Sequence, residues 1–396
     1  MDKIFDKKID RSKNEEKKWS VEYLKTVFPV DYSKKVHNLS IADIDFETPE
    51  SIVKAIAERA NKKTYSYGYV QNAAIDAIYD WYKKLHNITI EKDMIKIVDG
   101  IINSMMEIIK VYAKVGESVL IQTPVYKPFQ EVVENTQRKL IVNKLIYKNN
   151  QYEIDFDDFE KQIALNDVKI FIWCNPHNPG GRVWHDDEVI KIIEICNKYN
   201  VLILSDEVHG DLVLKGEHNS ILKWRDKAKN FVVVNSPNKG FNLAGLYGSY
   251  MIFSNQKILD QVMEMYKHNR VMTPNVFFQP AMIAAYTNQD AFDWLKAMKN
   301  YVYDNYLLIK SELSKISCLH PMNMDASYII WVKISANLDW VELKKIFFKH
   351  GVIVNFSDAF AYAEPGWFRI NIGLSRPELI KAIDEIKAIF KELNLY

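Results

Sequence analysis

Three residues with useful chemistry each follow a strand-like run in this sequence. Phe231-Val-Val-Val-Asn235 is short, β-branched and closed by Ser236 and Pro237, and Lys239 lies just beyond it. Val201-Leu-Ile-Leu-Ser205 leads into Asp206-Glu-Val-His209, and Val168–Trp173 leads into the loop Cys174-Asn-Pro-His-Asn-Pro-Gly-Gly-Arg-Val-Trp184, which contains Asn178. Taken singly, each residue has an ordinary reading: a solvated lysine, an aspartate capping a helix, a stiff turn. Taken together they are a nucleophilic amine, an acid and an amide in chain order, each past the end of a strand. Open α/β sheets keep their ligands at that edge.

This set suits pyridoxal 5′-phosphate (PLP). Lys239 is the Schiff-base lysine, and Asp206 pairs with the pyridine nitrogen and keeps it protonated, so that the ring draws electrons from a Cα carbanion. Asn178 can donate to the ring hydroxyl oxygen.

The elements that must position these groups alternate between about residues 94 and 253. Strand candidates are Ile95–Val98, Ser118–Gln122, Val168–Trp173, Val201–Ser205, Phe231–Asn235 and Ser249–Phe253, with helical patterns between them. In Asp186–Lys198, Val189, Ile190, Ile193 and Cys196 recur at helical spacing behind an acidic start. Such alternation implies an α/β fold with a mostly parallel sheet covered by helices on both faces. After Asn275 the pattern changes to long helices such as Ala291–Leu313. A smaller unit follows, with Tyr328–Val332, Trp340–Lys349, Val352–Asn355 and Phe368–Ile372. The expected organisation is an arm over 1–45, a large domain over 46–285 and a small α+β domain over 286–396. The arm is polar and lysine-rich, with Trp19, Tyr23 and Phe28 as anchors onto the small domain or a partner subunit. Pro49 is placed to open the helix that follows it.

Composition narrows the function classes. Lys+Arg 52 against Asp+Glu 51 gives a net charge of +1, which offers no electrostatic case for nucleic acid or an anionic membrane. Cys174, Cys196 and Cys318 are too few and too scattered for a disulfide framework or a zinc site, and fit a reducing compartment. No apolar run reaches the ~18 residues of a membrane span, and the first residues have no apolar signal-peptide core. The expectation is a soluble, cytoplasmic protein.

Asn175-Pro-His-Asn-Pro-Gly-Gly-Arg-Val-Trp184, Ser205-Asp-Glu-Val-His-Gly-Asp211 and Ser236-Pro-Asn-Lys-Gly-Phe-Asn-Leu-Ala-Gly245 resemble the fold-type I PLP enzymes of the class I/II aminotransferase superfamily. More narrowly, they resemble its cystathionine β-lyase (cysteine-S-conjugate β-lyase) branch. Histidine at position 209, where typical aminotransferases carry tyrosine, is one mark of that branch. The similarity runs from about residue 40 to the C-terminus. It implies the aspartate aminotransferase-like fold, with a seven-stranded mixed sheet in the large domain.

The resemblance also implies further site residues. In Asp99-Gly-Ile-Ile-Asn-Ser-Met105, the backbone N–H groups of Ile101 and Ile102 would hold the cofactor phosphate at a helix N-terminus; a plain strand–helix turn is the alternative. Tyr126 would stack on the pyridine ring, or else be a core tyrosine. Ser236 would add a hydroxyl to the phosphate or simply cap its turn, and His209 joins the cofactor-binding set. Tyr69 would reach the phosphate of a neighbouring subunit, with Tyr65 and Tyr67 as alternatives. Arg369 would take the substrate α-carboxylate as a bidentate pair, with the Ala42 backbone and Asn178 beside it. Homodimers with shared sites follow, Tyr69 and Thr273-Pro-Asn275 being the partner-supplied pieces.

Three positions depart from the family pattern. Ser40 stands where tryptophan is usual, Asn238 where serine commonly precedes the lysine, and Tyr247 where many aminotransferases place a phosphate-binding arginine. Lyases of this branch also lack that arginine. The reading is β-elimination from L-cystathionine or a related cysteine S-conjugate, yielding pyruvate, ammonia and a thiol. The alternatives are an aminotransferase acting on an L-amino acid and a 2-oxo acid, and a non-catalytic regulatory protein that keeps the fold.

Overall fold

The computed structural model describes residues 2–270 and 273–396. Its centre is a seven-stranded sheet made of Ile95–Val98 (β1), Ser118–Thr123 (β2), Lys139–Lys144 (β3), Val168–Cys174 (β4), Leu202–Asp206 (β5), Phe231–Asn235 (β6) and Ser249–Phe253 (β7). The spatial order is β1-β7-β6-β5-β4-β2-β3. Only β7 runs antiparallel to its neighbours. The strands are apolar on both faces for a structural reason. Leu202 and Leu204 enter one core while Ile203 enters the other, and Val232 and Val234 likewise oppose Phe231 and Val233. A strand buried on both sides needs a helical layer on each. Met105, Ile108 and Ile109 of helix α1 (Ile101–Tyr112) cover one face, and Val189, Ile192 and Ile193 of α2 (Asp186–Lys198) cover the other. Each such buried side chain is worth about 1.5–3 kcal/mol, which makes the sheet a rigid base for the loops at its edge.

Five of the six expected strands match their predicted spans to within a residue at either end, and the sixth, expected over Val201–Ser205, is shifted by one residue. The edge strand β3 lay outside the six, because Lys-Leu-Ile-Val-Asn-Lys buries only two of its six residues and has a lysine at each end.

A second, four-stranded antiparallel sheet is formed by Leu319–Pro321 (β8), Ile329–Ile334 (β9), Asn355–Phe356 (β10) and Trp367–Asn371 (β11), in the order β8-β9-β11-β10. Around it lie the long helix α3 (Gln289–Leu313), α4 (Trp340–Lys349) and α5 (Arg376–Glu392).

The N-terminal residues dock on their own chain. Phe5 is buried against Phe46, Trp294 and Tyr301, and Phe28 meets Phe348 at 6.0 Å. Trp19 donates its indole N–H to Asp45 Oδ1 at 2.8 Å. Tyr23, expected as an anchor, is exposed: it lies on the outer side of the short helix Val21–Val27, whose buried residue is Leu24. The helix Glu50–Asn61 does begin directly after Pro49.

Candidate active site

Strands β4, β5 and β6 are adjacent and parallel, so the three sequence-selected loops leave the sheet side by side. Their ends are level: Cys174 pairs with Asp206, and Asp206 with Val234. The loop after β4 is pinned from both sides. The Asn175 N–H donates to Asp206 O at 2.9 Å, and Arg182 pairs with Glu188 of α2 at 2.7 Å. Glu188 also accepts from the His185 N–H at 2.8 Å, capping that helix. Tyr126 follows β2, the next strand along, and its N–H donates to Asn178 O at 3.2 Å.

Arg369 comes from the other sheet. It lies on β11 opposite Trp331 and Asn355 and is buried. Its Nη2 donates to Ser40 O at 2.7 Å and to Asn355 Oδ1 at 3.3 Å, and its Nη1 to Asn178 Oδ1 at 3.3 Å, while Nε has no acceptor among the described residues. Because Asn178 accepts through Oδ1, its NH2 group is turned away and free to donate elsewhere. Tyr126 pairs across two short strands with Phe360, over whose ring the Arg369 guanidinium sits at 5.2 Å. Tyr126 is 39% exposed, which makes it a wall of the cleft and not a core tyrosine.

The loop from Ser40 to Asp45 closes the other side. The Lys239 Nζ donates to Ala42 O at 2.6 Å, and the Tyr328 hydroxyl donates to the same oxygen at 3.1 Å. Asn371 fixes the flanking peptides by donating to Ile41 O at 2.6 Å and Asp43 O at 2.5 Å. No described residue accepts the Ala42 N–H. Sequence reasoning missed Tyr328, Asn371 and Ser327. Each lies on or beside a strand where an aromatic or small polar residue looks ordinary, and no spacing links it to Ala42 or His209.

His209 is buried, with Nδ1 against Ser327 Oγ at 2.9 Å and its ring 6.4 Å from that of Tyr328. The Ser236 hydroxyl donates to Gly248 O at 2.7 Å, so a phosphate would have to compete for its only proton. Gly100, at φ 151, starts α1, and the N–H groups of Ile101 and Ile102 have no acceptor among the described residues. Tyr69 is 76% exposed on a loop with Tyr65 and Tyr67, held by Gln279 Nε2 donating to Tyr69 O at 2.9 Å. Tyr247 is likewise exposed, in the left-handed conformation at φ 46.

Burial controls the electrostatics. The Asp206 carboxyl is pushed up to about 7 by desolvation, opposed by the Val208 N–H at 3.1 Å and by Lys239. Lys239 is brought down to about 8, first by burial and then by the Arg369 charge. Arg369 falls to about 10 and His209 to about 3, both chiefly through desolvation. The cleft therefore presents an amine poised near neutrality, a buried carboxyl whose ionisation is opposed by desolvation, and a guanidinium with spare N–H groups.

This fold and cleft define a recognised class: residues 34–386 match the profile of aminotransferase class I and II, and the chain belongs to that family. Among individual relatives, it is 32% identical over 356 residues to the cystathionine beta-lyase PatB of Bacillus subtilis, covering 88% of this chain and 91% of that protein. It is 28% identical to protein MalY of Escherichia coli, covering 87% and 89% of the two chains. Two solved structures superpose closely. The PLP-bound C-S lyase of Staphylococcus hominis, complexed with L-cycloserine, gives a TM-score of 0.90 at 29% identity over 97% of each chain. Cystalysin of Treponema denticola, which contains PLP, gives 0.91 at 25% identity over 98% of this chain and 99% of its own. The fold expected from sequence is the one observed.

Proposed function

We propose that this protein is a PLP-dependent carbon–sulfur β-lyase that eliminates thiol from L-cystathionine or a related cysteine S-conjugate. The observation that carries the reading is that one short loop serves both ends of an amino-acid substrate. Ser40 O holds Arg369, and two residues later Ala42 O holds Lys239. The lyase relatives, alike over nearly the whole chain, favour elimination over amino transfer.

The residues fit the cofactor. Asp206 is a buried carboxyl whose charged form is disfavoured by desolvation and only partly supported by the Val208 N–H and the Lys239 charge, so a protonated pyridine nitrogen would be a favourable partner for it. Lys239 would form the Schiff base, the Asn178 amide would donate to the ring hydroxyl, and Tyr126 would lie on the ring. The Ile101 and Ile102 N–H groups, with Ser236, would take the phosphate; His209, beside Ser327, would back the ring. Bound PLP supplies the electron sink that makes the substrate Cα–H acidic.

The protein's own groups do the rest. Arg369 and the Ala42 N–H bind the α-carboxylate. Lys239 Nζ, uncharged in a useful fraction near neutral pH, removes the Cα proton and delivers it to the departing sulfur. The 2-aminoacrylate released hydrolyses to pyruvate and ammonia.

The working unit is a homodimer in the cytoplasm, with Tyr69 and the Thr273-Pro-Asn275 loop supplied across the interface. The exposure of Tyr69 in its own chain supports that arrangement. The test is to offer the PLP-loaded protein L-cystathionine without any 2-oxo acid. Pyruvate formation supports the lyase; turnover only with an added 2-oxo acid makes it an aminotransferase, and no turnover with either leaves a non-catalytic protein.

A further inference from the structure

The N-terminal arm carries two cations that it does not need for solubility. Lys18 is 1% exposed and Arg11 7% exposed, unusual burial for both residue types. Both converge on the carboxylates that follow Ala42. Lys18 Nζ lies 3.1 Å from Asp43 Oδ1, 3.0 Å from Asp45 Oδ2 and 3.2 Å from Asp43 O. Arg11 Nη2 reaches Asp43 Oδ2 at 2.9 Å, and Nη1 reaches Ile44 O at 3.0 Å and also the Asp45 carboxylate; Glu16 completes the group on Arg11 Nε. The arm also holds the other end of the loop. Lys18 O accepts from Asn38 Nδ2 at 2.6 Å, and Asn38 Oδ1 accepts the Ser40 hydroxyl at 2.7 Å and N–H at 3.1 Å.

Residues Ser40–Asp45 form neither helix nor strand, so their peptide groups have no ladder to fix them. Asn371 ties them to the body, and the charged cluster ties them to the arm. Burying two cations is strongly unfavourable unless the geometry is well matched. Here the match is spent on the loop that touches Lys239 and Arg369.

We propose that Lys18 and Arg11 are positioning residues of the active site: through Asp43 and Asp45 they fix the Ala42 peptide, whose carbonyl accepts from Lys239 and whose N–H is left for a substrate carboxylate. This inference rests on the amino-acid site proposed above. The arm is then a working part of the cleft, and an amino-acid ligand is felt at Lys18 through a single intervening residue.

The experiment compares PLP-loaded wild type with Lys18→Met, Lys18→Arg and Asp43→Asn. L-Alanine, which has no leaving group, is titrated against the cofactor's absorbance, and backbone hydrogen exchange is followed across residues 40–45. The expected result is L-alanine binding weakened about 10- to 100-fold in Lys18→Met, faster exchange confined to the loop and arm, and recovery to within about threefold in Lys18→Arg. Asp43→Asn, nearly isosteric, covers the case in which Lys18→Met fails to fold, and is expected to lose binding similarly. Unchanged exchange over 40–45, or wild-type L-alanine binding in a folded Lys18→Met or Asp43→Asn protein, overturns the proposal. If wild type itself gives no response to any L-amino acid, the amino-acid site fails instead, and the exchange data still report on the clamp.

Discussion

Lys239 Nζ and the carbonyl oxygen of Ala42 are 2.6 Å apart although 197 positions separate them in the chain. The contact joins the strand-end loop carrying the amine to the loop that holds Arg369. A lysine brought down to about 8 by burial is a competent base close to neutral pH. Lys239→Ala is expected to lower kcat for elimination by at least about a thousandfold, and to remove the cofactor's lysine-linked absorbance band while leaving the fold intact by circular dichroism.

Arg369 separates substrate binding from cofactor binding. Lysine at that position cannot reproduce a planar fork. Arg369→Lys is expected to raise KM for the amino acid about 100-fold and to leave PLP retention within a few-fold of wild type. Equal loss of both would place Arg369 on the cofactor and not on the substrate.

Asp206 gives a signed pH prediction. Its pKa in the folded chain is raised from 3.8 to about 7, so ionising it costs stability, and the cost grows as pH rises from about 4 to 7. Three pKa units correspond to at most about 4 kcal/mol. In the cofactor-free protein, Asp206→Asn should therefore raise Tm at pH 8 and change it little at pH 4. With PLP present the order should reverse at pH 8, because the carboxylate then has its cation. Thermal melts at the two pH values, with and without PLP, read all four cases.

Tyr328 tests the Ala42 carbonyl from its second side. Tyr328→Phe removes one hydrogen bond to that oxygen, worth about 1 kcal/mol. A fall in kcat/KM of about five- to tenfold is expected, with Tm nearly unchanged.

Much of this site was legible because its residues follow strands, and strands buried on both faces announce themselves as apolar runs. The loops bearing Asn178, Asp206 and Lys239 were found that way, and β4, β5 and β6 are indeed neighbours. The edge strand β3 was missed because only two of its six residues are buried and its ends are lysines. The buried cations of the arm were not legible for a related reason. A buried lysine has the same letter as a solvated one, so the polar run around Lys18 gave no hint of the two carboxylates it covers. Tyr328 and Asn371 act through backbone carbonyls, and a peptide acceptor leaves no trace in the sequence.

The proposed sharing of active sites predicts complementation. If Tyr69 serves the neighbouring subunit, Lys239→Ala and Tyr69→Ala homodimers are each impaired, but a mixed dimer contains one intact site. Refolding the two together should recover about a quarter of wild-type activity, since about half the dimers are mixed and each has one of two sites. No recovery would put Tyr69 in its own chain's site or outside any site.

The most direct test of the central claim is the product balance from L-cystathionine as sole substrate. The PLP-loaded protein should release pyruvate, ammonia and thiol in equal amounts over many turnovers, with no 2-oxo acid added. A single burst of cofactor conversion that stops, and resumes only when a 2-oxo acid is supplied, would contradict β-elimination and mark the protein as an aminotransferase.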